Sequence, residues 1–187
     1  MKLSRIAPPP HDWWFATERL LLRATSPDDA ERAFQIQSNW NVTRNLSMAA
    51  FPPDHGEMTT WFCEHQTEWQ DGTAFRFAVL QNGRMIGLVD LDQISDGKGD
   101  LGYWFDESCW GRGFALESAS VVVRFAFEEV HLNGLRSGHA VDNPASGRVL
   151  SKLGFRHTGE VMVRSRSRGA SILQRRYRLE LQDRSPG

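Results

Sequence analysis

The sequence predicts a single α/β domain in which one mixed β-sheet carries helices on both faces. Three observations lead to this prediction. The chain has 187 residues and shows neither an internal repeat nor a linker between domains. Seven short segments are typical of strands, and four longer ones have the apolar spacing of helices. Their order is β, α, α, an antiparallel run, then β-α-β-α-β-β, which favours a mixed sheet covered on both sides.

The two ends of the chain are expected to lie outside this domain. The first 16 residues contain Pro8–Pro10 and predict an extended arm rather than a folded element. Both tryptophans of the arm, Trp13 and Trp14, are expected to dock on the body. The domain itself should span residues 17–182, followed by a tail at 183–187.

The first half of the domain is predicted to hold a strand, two helices and a hairpin. Ser26-Pro27-Asp28-Asp29 is typical of a helix start, because serine caps the first turn, proline suits it and acids lie near the positive end of the helix dipole. That helix should reach about Asn39. A second helix is predicted from Asp54, with five side chains at helical spacing: Met58, Trp61, Phe62, His65 and Trp69. The strands are expected at 19–23, 74–80 and 84–93, the last two joined by a turn at Asn82-Gly83.

The second half is predicted to alternate strands and helices. In a strand at 100–106, Leu101, Tyr103 and Phe105 alternate with Gly102 and Trp104. The remaining elements follow in order: an amphipathic helix from Phe114 to about Val130, a strand at 135–141, a helix from Asn143 to Gly154, and strands at 155–164 and 172–181.

Composition excludes several classes of protein. The 22 basic and 23 acidic residues give a net charge of −1, which argues against a polycationic nucleic-acid binder. Two cysteines cannot build a disulfide framework, no Cys/His cluster has zinc-ligand spacing, and so an intracellular, cytoplasmic protein without a metal is expected. No apolar run is long enough to span a membrane and no signal peptide is evident. Only three basic residues are lysines, and six arginines crowd into Arg164–Arg178.

A glycine-rich turn, Trp110-Gly111-Arg112-Gly113, links the strand at 100–106 to the following helix. Glycines let successive N–H groups and the positive end of the helix converge on one small space, which suits phosphate oxygens. The turn is not a dinucleotide G-x-G-x-x-G, because Leu116 stands where the third glycine belongs, and the chain contains no G-x-x-x-x-G-K-[ST]. A tight loop without a ligand is the structural alternative.

A second motif follows about 30 residues later, from Asn143 to Phe155. Taken singly, Asn143 is a good helix cap, Pro144 suits the first turn and Gly154 suits the end of the helix. This ordinary explanation does not account for the motif's combination with a phosphate-type turn in a β-α-β-α order.

Together these motifs resemble the GNAT superfamily of acetyl-CoA-dependent N-acetyltransferases. The resemblance rests on Gly-Tyr-Trp-Phe, Trp-Gly-Arg-Gly-Phe-Ala and Asn-x-x-Ser-x-Arg-Val-Leu-x-Lys-Leu-Gly-Phe, and covers residues 17–182. Within the superfamily, the chain looks like the branch of ribosomal-protein N-terminal (RimJ/RimL-like) acetyltransferases. The implied fold is a central mixed sheet of about seven strands, splayed where acetyl-CoA binds.

The resemblance also implies a cofactor site between the strands at 100–106 and 135–141. Backbone groups around Trp104 and Phe105 would pair with the pantetheine arm like an added strand. Further cofactor contacts are implied for Trp110, Gly111, Arg112, Gly113, Phe114, Ala115, Asn143 and Lys152. The five amides at 111–115 would hold the pyrophosphate, and Asn143 would hydrogen-bond the arm near the thioester. Lys152 or Arg148 could meet a phosphate on the adenosine side, although both are equally typical of solvated helix charges.

The implied reaction is direct attack of an amine on the thioester. The backbone N–H of Phe105 is the implied oxyanion donor, and Ser146 matches a serine that the Rim-like branch uses near the thiolate; an ordinary helix-start serine is the alternative. The glutamate and the tyrosine that many relatives use have no counterpart, since their positions hold Arg136–Ala140 and Leu150. Asp90, or Asp92 beside it, could bind the acceptor ammonium or take its proton through water, unless these are solvated strand-end charges.

Two further side chains have the chemistry of a base or nucleophile. His139 has a suitable pKa for a base, but a packed core histidine is the more usual explanation. Cys109 lies near a helix start, yet direct transfer needs no nucleophile and a structural role is expected.

The predicted partners are acetyl-CoA and an amine acceptor, in a monomer or homodimer without membrane or nucleic-acid binding. The acceptor is left open between a peptide N-terminus and a small amine, and residues 40–51 are expected to shape its pocket. Two rival functions remain: a domain that binds acyl-CoA without turnover, and a ribosome- or RNA-binding module built on Arg164–Arg178, for which a solvated strand face is the simpler explanation.

Overall fold

An eight-stranded mixed sheet forms the centre of the part of the chain that the structure, a computed structural model, describes: residues 8–183. The strands are β1 (Trp14–Ala16), β2 (Leu21–Ala24), β3 (Phe75–Gln81), β4 (Arg84–Ser95), β5 (Lys98–Phe105), β6 (Gly134–Ala140), β7 (Arg156–Ser165) and β8 (Ala170–Glu180). The helices are α1 (Ala30–Gln37), α2 (Trp40–Thr43), α3 (His55–Asp71), α4 (Phe114–Glu128) and α5 (Pro144–Lys152). Across the sheet the strand order is β1-β2-β3-β4-β5-β6-β8-β7.

The N-terminal segment differs from the predicted arm. Residues 14–16 form strand β1, which pairs antiparallel with β2 at the edge of the sheet and makes the eighth strand. Trp13 packs in the core, with its ring 5.7 Å from that of Phe125, but Trp14 is 62 % exposed, so its expected docking is wrong. Three residues are too few to show an alternating pattern, which is why the sequence did not reveal this strand. The first seven residues of the arm lie outside the described part of the chain.

Local caps set the helix boundaries. The Asp54 side chain accepts from the backbone N–H of Glu57 at 2.8 Å and begins α3, and Gly72, with φ of 66°, ends it. The helix predicted from Ser26 starts with a 3₁₀ turn and stops at Gln37. A short second helix, α2, follows because Asn39 caps it by accepting from the N–H of Asn41 at 2.9 Å.

Helices cover both faces of the sheet, as predicted. Helix α4 packs on one face, where the ring of Phe125 lies 5.2 Å from Phe77 and 5.4 Å from Phe75. Helices α1 and α3 cover the opposite face, over Ala78 and Leu88, which are fully buried. None of the helices in residues 8–183 is long and apolar enough to cross a membrane.

Two parallel strands at the centre of the sheet diverge, and we call this opening the fork. Strands β5 and β6 pair only over 98–100 and 134–136. Beyond that point β5 stays paired with β4, and β6 with β8. Where the pairing stops, the Ser137 hydroxyl donates to the carbonyl oxygen of Leu101 at 2.8 Å. The predicted splay of these two strands is therefore confirmed.

Candidate active site

A cavity of about 440 Å³, called the cleft below, runs through the fork. It lies between α4 and α5 on one face of the sheet and reaches α2 and the residues after it on the other. The sheet contributes Leu101, Gly102, Tyr103, Trp104, Phe105, Ser137, Gly138 and His139 to its lining. The glycine turn and α4 contribute Cys109, Trp110, Gly111, Gly113, Phe114, Ala115 and Leu116. Asn143, Ala145, Ser146, Arg148, Val149 and Lys152 line it from α5, and Val42, Asn45 and Leu46 from the other face.

The glycine turn is bent as the sequence predicts for an anion site. Gly111 and Gly113 have φ of 73° and 81°, a left-handed conformation that residues with a Cβ rarely adopt. Helix α4 begins directly after Gly113, so its first N–H groups, which have no partner within the helix, lie at the cleft. This combination fits a pyrophosphate.

Arg112 and Arg19 brace the turn from outside the cleft. Arg112 is absent from the lining, and its guanidinium stacks 4.7 Å from the ring centroid of Phe114. Arg19 donates to the backbone carbonyl of Arg112 at 2.9 Å and to Glu117 on α4 at 2.7 Å. The sequence contained no signal for this brace, because its partners are more than 90 positions apart.

The backbone of β5 offers hydrogen-bonding groups to the cleft at alternate residues. The N–H of Asp106 donates to the carbonyl of Ile86 at 2.8 Å, so Trp104 exchanges its backbone hydrogen bonds with Leu88 on β4. Tyr103 and Phe105 therefore direct their N–H groups away from β4, towards the fork. The backbone of Trp104 is occupied in the sheet, which corrects the expectation that it pairs with the cofactor arm. The N–H of Phe105 fits the expectation, whereas its carbonyl oxygen already accepts from Trp110 Nε1 at 3.0 Å.

Two hydroxyl groups meet at the start of α5. Tyr103 Oη lies 2.8 Å from Ser146 Oγ and 3.2 Å from the Ser146 carbonyl oxygen, and its single hydrogen can be donated to either of these oxygens. Burial raises the pKa of Tyr103 to about 12, although the hydrogen bond to Ser146 opposes this shift. The sequence did not single out Tyr103, because its partner lies on an element 43 positions away.

Asn143 is the N-cap of α5. Its Oδ1 accepts from the N–H of Ser146 at 3.4 Å, which confirms the ordinary capping explanation, while the residue also lines the cleft. Its side-chain amide group therefore stays available to a ligand in the cleft. Lys152 and Arg148 line the same helix face.

His139 is held on both ring nitrogens. Nδ1 lies 2.8 Å from the carbonyl oxygen of Ala140, which can only accept, so the neutral ring carries its proton there. Nε2 then accepts from the Tyr177 hydroxyl at 3.2 Å. A Cβ on Gly147 would lie only 2.6 Å from Nε2, so α5 covers this nitrogen. These contacts favour a packed histidine over a base.

Asp90 lies beside the cleft but outside its lining. Its Oδ2 accepts from Arg76 at 2.8 Å, and Arg76 also donates to Glu68 of α3 at 3.0 Å. The Asp90 Oδ1 atom occupies the space above Gly102 where a Cβ would otherwise stand. Burial raises the pKa of Asp90 to about 6, although Arg76 acts in the opposite direction. Asp92 is farther from the cleft and contacts Arg76 at 3.5 Å.

The β7–β8 turn packs behind the residues that line the cleft on the α2 side, a feature that the sequence did not predict. The N–H of Arg166 donates to the Ser47 carbonyl at 2.7 Å, and Arg168 Nε donates to the Arg44 carbonyl at 2.7 Å. Arg168 also donates to both carboxylate oxygens of Asp142, at 2.8 and 3.0 Å. We call these contacts the clamp. They place residues 44–47 against the mouth of the cleft and account for part of the arginine excess.

Comparison with known proteins agrees with this site. A family model described as an acetyltransferase (GNAT) domain matches residues 19–156. The N-acetyltransferase p20 of Bacillus licheniformis is 26% identical over 172 residues, which are 86% of this chain and 96% of p20. The ribosomal-protein-serine acetyltransferase of Escherichia coli (strain K12) is 27% identical over 88 residues, 46% of this chain and 49% of that protein.

A solved structure shares the fold. The ribosomal L7/L12 α-N-protein acetyltransferase RimL, in complex with coenzyme A, superposes with a TM-score of 0.83 at 18% identity and covers 92% of this chain and 100% of RimL. The family match spans most of the described domain, and it agrees with the presence of the cleft and its glycine turn. The chain belongs to the GNAT family of acetyltransferases, enzymes that transfer the acetyl group of acetyl-CoA to an amine.

Proposed function

We propose that the acceptor is an amine of low pKa, and that the α-amino group of a peptide N-terminus is the acceptor class. The observation that carries this proposal is the lining of the cleft, which holds no carboxylate within the described residues. Its one histidine has both ring nitrogens engaged. A site of this kind offers little help in removing a proton from a strongly basic amine.

The pKa of the acceptor amine decides how strongly the lack of a proton acceptor in the cleft lining slows the reaction. Only a neutral amine attacks a thioester. An α-amino group, with a pKa near 7.7–8.0, is neutral in roughly a tenth of molecules at pH 7, whereas a lysine amine near 10.4 is neutral in fewer than ~0.1%. The cleft therefore favours α-amino groups over lysine side chains and aliphatic polyamines. The names of the ribosomal-protein relatives support the same acceptor class.

Acetyl-CoA supplies an activated acetyl group, and the residues of the cleft would bind and orient it. The left-handed glycines 111 and 113 and the start of α4 would hold the pyrophosphate. The N–H groups of Tyr103 and Phe105 would meet the pantetheine arm and the thioester oxygen; a donor aimed at the developing oxyanion contributes about 3–4 kcal/mol.

We assign Ser146 as the proton donor to the leaving thiolate; its oxygen regains a proton through water, from the amine nitrogen that has attacked the thioester. Its hydroxyl lines the cleft, and the hydroxyl of Tyr103 lies within hydrogen-bonding distance. A tyrosine that donates to Ser146 Oγ leaves the serine hydrogen free to point into the cleft. Tyr103 is then a positioning residue, and it reaches α5 from β5 rather than from the family's usual position at Leu150.

Asp90 is the proposed ammonium-binding group on the acceptor side. Its carboxylate lies above Gly102, next to the fork, and its other oxygen is held by Arg76. It would attract the protonated amine and orient it, and water would take the proton once the amine reaches the thioester.

The two rival functions receive less support. Binding without turnover would not require the pair of hydroxyls at Tyr103 and Ser146. An RNA-binding module would need free arginines at 164–178, but three of these six side chains form ion pairs within the fold. They are Arg166 with Glu57, Arg168 with Asp142, and Arg175 with Glu160. We place the reaction in the cytoplasm, because Cys63 and Cys109 are both free thiols; a monomer or homodimer stays a prediction.

Release of free thiol from acetyl-CoA tests this function. We expect release with a short peptide that begins with alanine and none with the same peptide acetylated at its N-terminus. A doubly blocked peptide with one free lysine should react at least ~10-fold more slowly at pH 7, because so little of its amine is neutral. Acetyl-CoA that binds tightly but releases no thiol with any amine would overturn the proposal in favour of the binding domain.

The role of Ser146 is tested with a matched pair of serines on α5. Ser146→Ala should lower kcat by about 10²-fold, the lower end of the effect of a general acid. Ser151→Ala serves as the control, because its hydroxyl donates to the Gly147 carbonyl within the helix and does not line the cleft. Equal rates for the two variants would remove Ser146 from the mechanism.

A further inference from the structure

On the acceptor side, the bottom of the fork carries an ion pair without net charge, and the next two sheet positions on this face are glycines, which have no side chain. Where β5 and β6 still pair, Asp100 and Arg136 form an ion pair of 2.5 Å across the strands. Two residues farther along each strand lie Gly102 and Gly138, on the same face because side chains alternate along a strand. Both glycines line the cleft, so the sheet carries no side chain of its own at the point where the cleft opens.

A charged side chain from each outer strand lies over one of these glycines. Asp90 is paired with Gly102, and its Oδ1 takes the place of a Cβ there. Arg176 on β8 is paired with Gly138; a Cβ on that glycine would lie 3.2 Å from Arg176 Cδ and 3.3 Å from its Nη1. The fork is thus bordered by a carboxylate on one side and a guanidinium on the other.

Both charged groups keep free hydrogen-bonding capacity. Asp90 uses Oδ2 for Arg76, and no described residue donates to its Oδ1. Arg176 makes one side-chain hydrogen bond, from Nη1 to the Gln174 amide oxygen at 3.1 Å, and pairs with no carboxylate of residues 8–183. A guanidinium has five N–H donors, so most of this group remains available.

The charges around the fork are arranged with opposite signs on its two sides. On the β4 side, Arg76 is outnumbered by three carboxylates, those of Glu68, Asp90 and Asp92. On the β8 side, Arg176 is followed on the same face by Arg178, which is exposed. A ligand that enters here meets a negative group next to the amine site and a positive group across a gap of at least ~5 Å, the spacing of neighbouring strands.

We propose that Arg176 selects acceptors that carry a carboxylate close to the amine to be acetylated. This inference rests on the proposed function: Asp90 holds the ammonium, and Arg176 binds the carboxylate on the other side of the fork. The shared chemistry has two possible sources, the carboxylate of a free α-amino acid or the acidic side chain of a residue near a peptide N-terminus. A polyamine, which has a second positive charge in place of the carboxylate, would be repelled by Arg176.

The experiment compares acceptors that differ in one carboxylate. One arm uses Ala-Glu-Ala-Ala against Ala-Gln-Ala-Ala, and the other uses alanine against alaninamide, with thiol release from acetyl-CoA as the readout. Each rate is divided by the fraction of the amine that is neutral at the pH of the assay, because the loss of a neighbouring carboxylate lowers the pKa of the amine. The wild-type protein should prefer the carboxylate member of at least one pair by about tenfold in kcat/KM, the effect of one hydrogen bond between charged groups. The pair that shows the preference identifies the source of the carboxylate.

Variants of β8 show whether Arg176 causes the preference. In Arg176→Gln the ratio of kcat/KM between the carboxylate member and the neutral member of the pair should fall to about one. Arg176→Lys should retain part of the preference, because lysine keeps the charge but not the planar donors. Arg175→Gln is the matched control: it is the preceding residue, faces the other side of the sheet and pairs with Glu160 at 3.1 Å. It should keep the wild-type ratio.

The outcomes separate this inference from the proposed function. Equal rates within both pairs, or a preference that survives in Arg176→Gln, would overturn the inference while leaving amine acetylation intact. If no acceptor releases thiol, the function fails first and the inference fails with it. Calorimetric binding of Ala-Glu-Ala-Ala to the CoA complex provides a second measurement, in which Arg176→Gln should lose the same factor as in catalysis.

Discussion

Tyr103 and Ser146 come from different elements, and their hydroxyl oxygens lie 2.8 Å apart. Burial raises the pKa of Tyr103 to about 12, so the phenol stays protonated at neutral pH and can donate. We expect Tyr103→Phe to lower kcat by about 5–10-fold, the effect of losing one hydrogen bond, and to leave the Kd of CoA unchanged. Steady-state kinetics and calorimetry measure the two quantities.

A double-mutant cycle distinguishes positioning from a general loss of packing. In a Ser146→Ala background, Tyr103→Phe should change kcat by less than about twofold, because the hydroxyl that it orients is gone. The same 5–10-fold loss in both backgrounds would show that Tyr103 acts independently of Ser146.

Asp90 gives acceptor binding its own pH dependence. Burial raises the pKa of its carboxyl to about 6, so the group is ionised above that pH and gains a proton as the pH falls through it. A neutral carboxyl attracts an ammonium less, and the Kd of a peptide for the CoA complex, measured by calorimetry, should therefore rise as the pH falls from about 7 to about 5. Asp90→Asn should have the high Kd at both pH values, whereas a rise of equal size in the variant would contradict the assignment.

At the scale of elements, the glycine turn and α4 act together as a binding unit. Gly113 has φ of 81°, and a β-branched residue is strained there. We expect Gly113→Val to weaken CoA binding by at least ~10-fold, since a strain of 1–2 kcal/mol moves the turn. Gly83→Val is the control: its φ is 76° in the β3–β4 turn, outside the cleft. Equal CoA affinities for the two variants would show that the glycine turn does not hold the pyrophosphate.

At the scale of the whole molecule, the clamp joins three parts of the chain that are far apart in sequence. Arg168 donates to the Arg44 carbonyl beside the mouth of the cleft and to Asp142 just before α5. Its side chain is only 17% exposed. We expect Arg168→Ala to lower Tm by about 5 °C and to raise the acceptor KM, because charged hydrogen bonds and the mouth of the cleft are lost together. Arg166→Ala, in the same turn but with a side chain that is 53% exposed, should lower Tm by less than ~2 °C.

The sequence predicts the elements of this molecule and the glycine turn well, for physical reasons. Caps such as Asp54 and Asn143, and left-handed glycines such as Gly113, act within a few residues and leave a local pattern. The cofactor side is built mainly from such local features. The family motifs then supply the arrangement in space that no local pattern contains.

The acceptor side was not predictable in the same way. The pairing of Tyr103 with Ser146, the position of Arg176 over Gly138, and the clamp all join segments that are brought together only by the sheet order. Strand β1 was missed because three residues are too few for a pattern. The arginine excess, unexplained by composition, proves in part to be a set of ion pairs across these segments.

The Ser137 hydroxyl takes the place of a ladder hydrogen bond where β5 and β6 part, and so it stops the two strands from closing on each other. This hydrogen bond belongs to the fold itself, so we expect the cleft to need no gating step before its ligand arrives. Coenzyme A should then associate in a single bimolecular encounter, with an observed rate that rises in proportion to its concentration and does not level off.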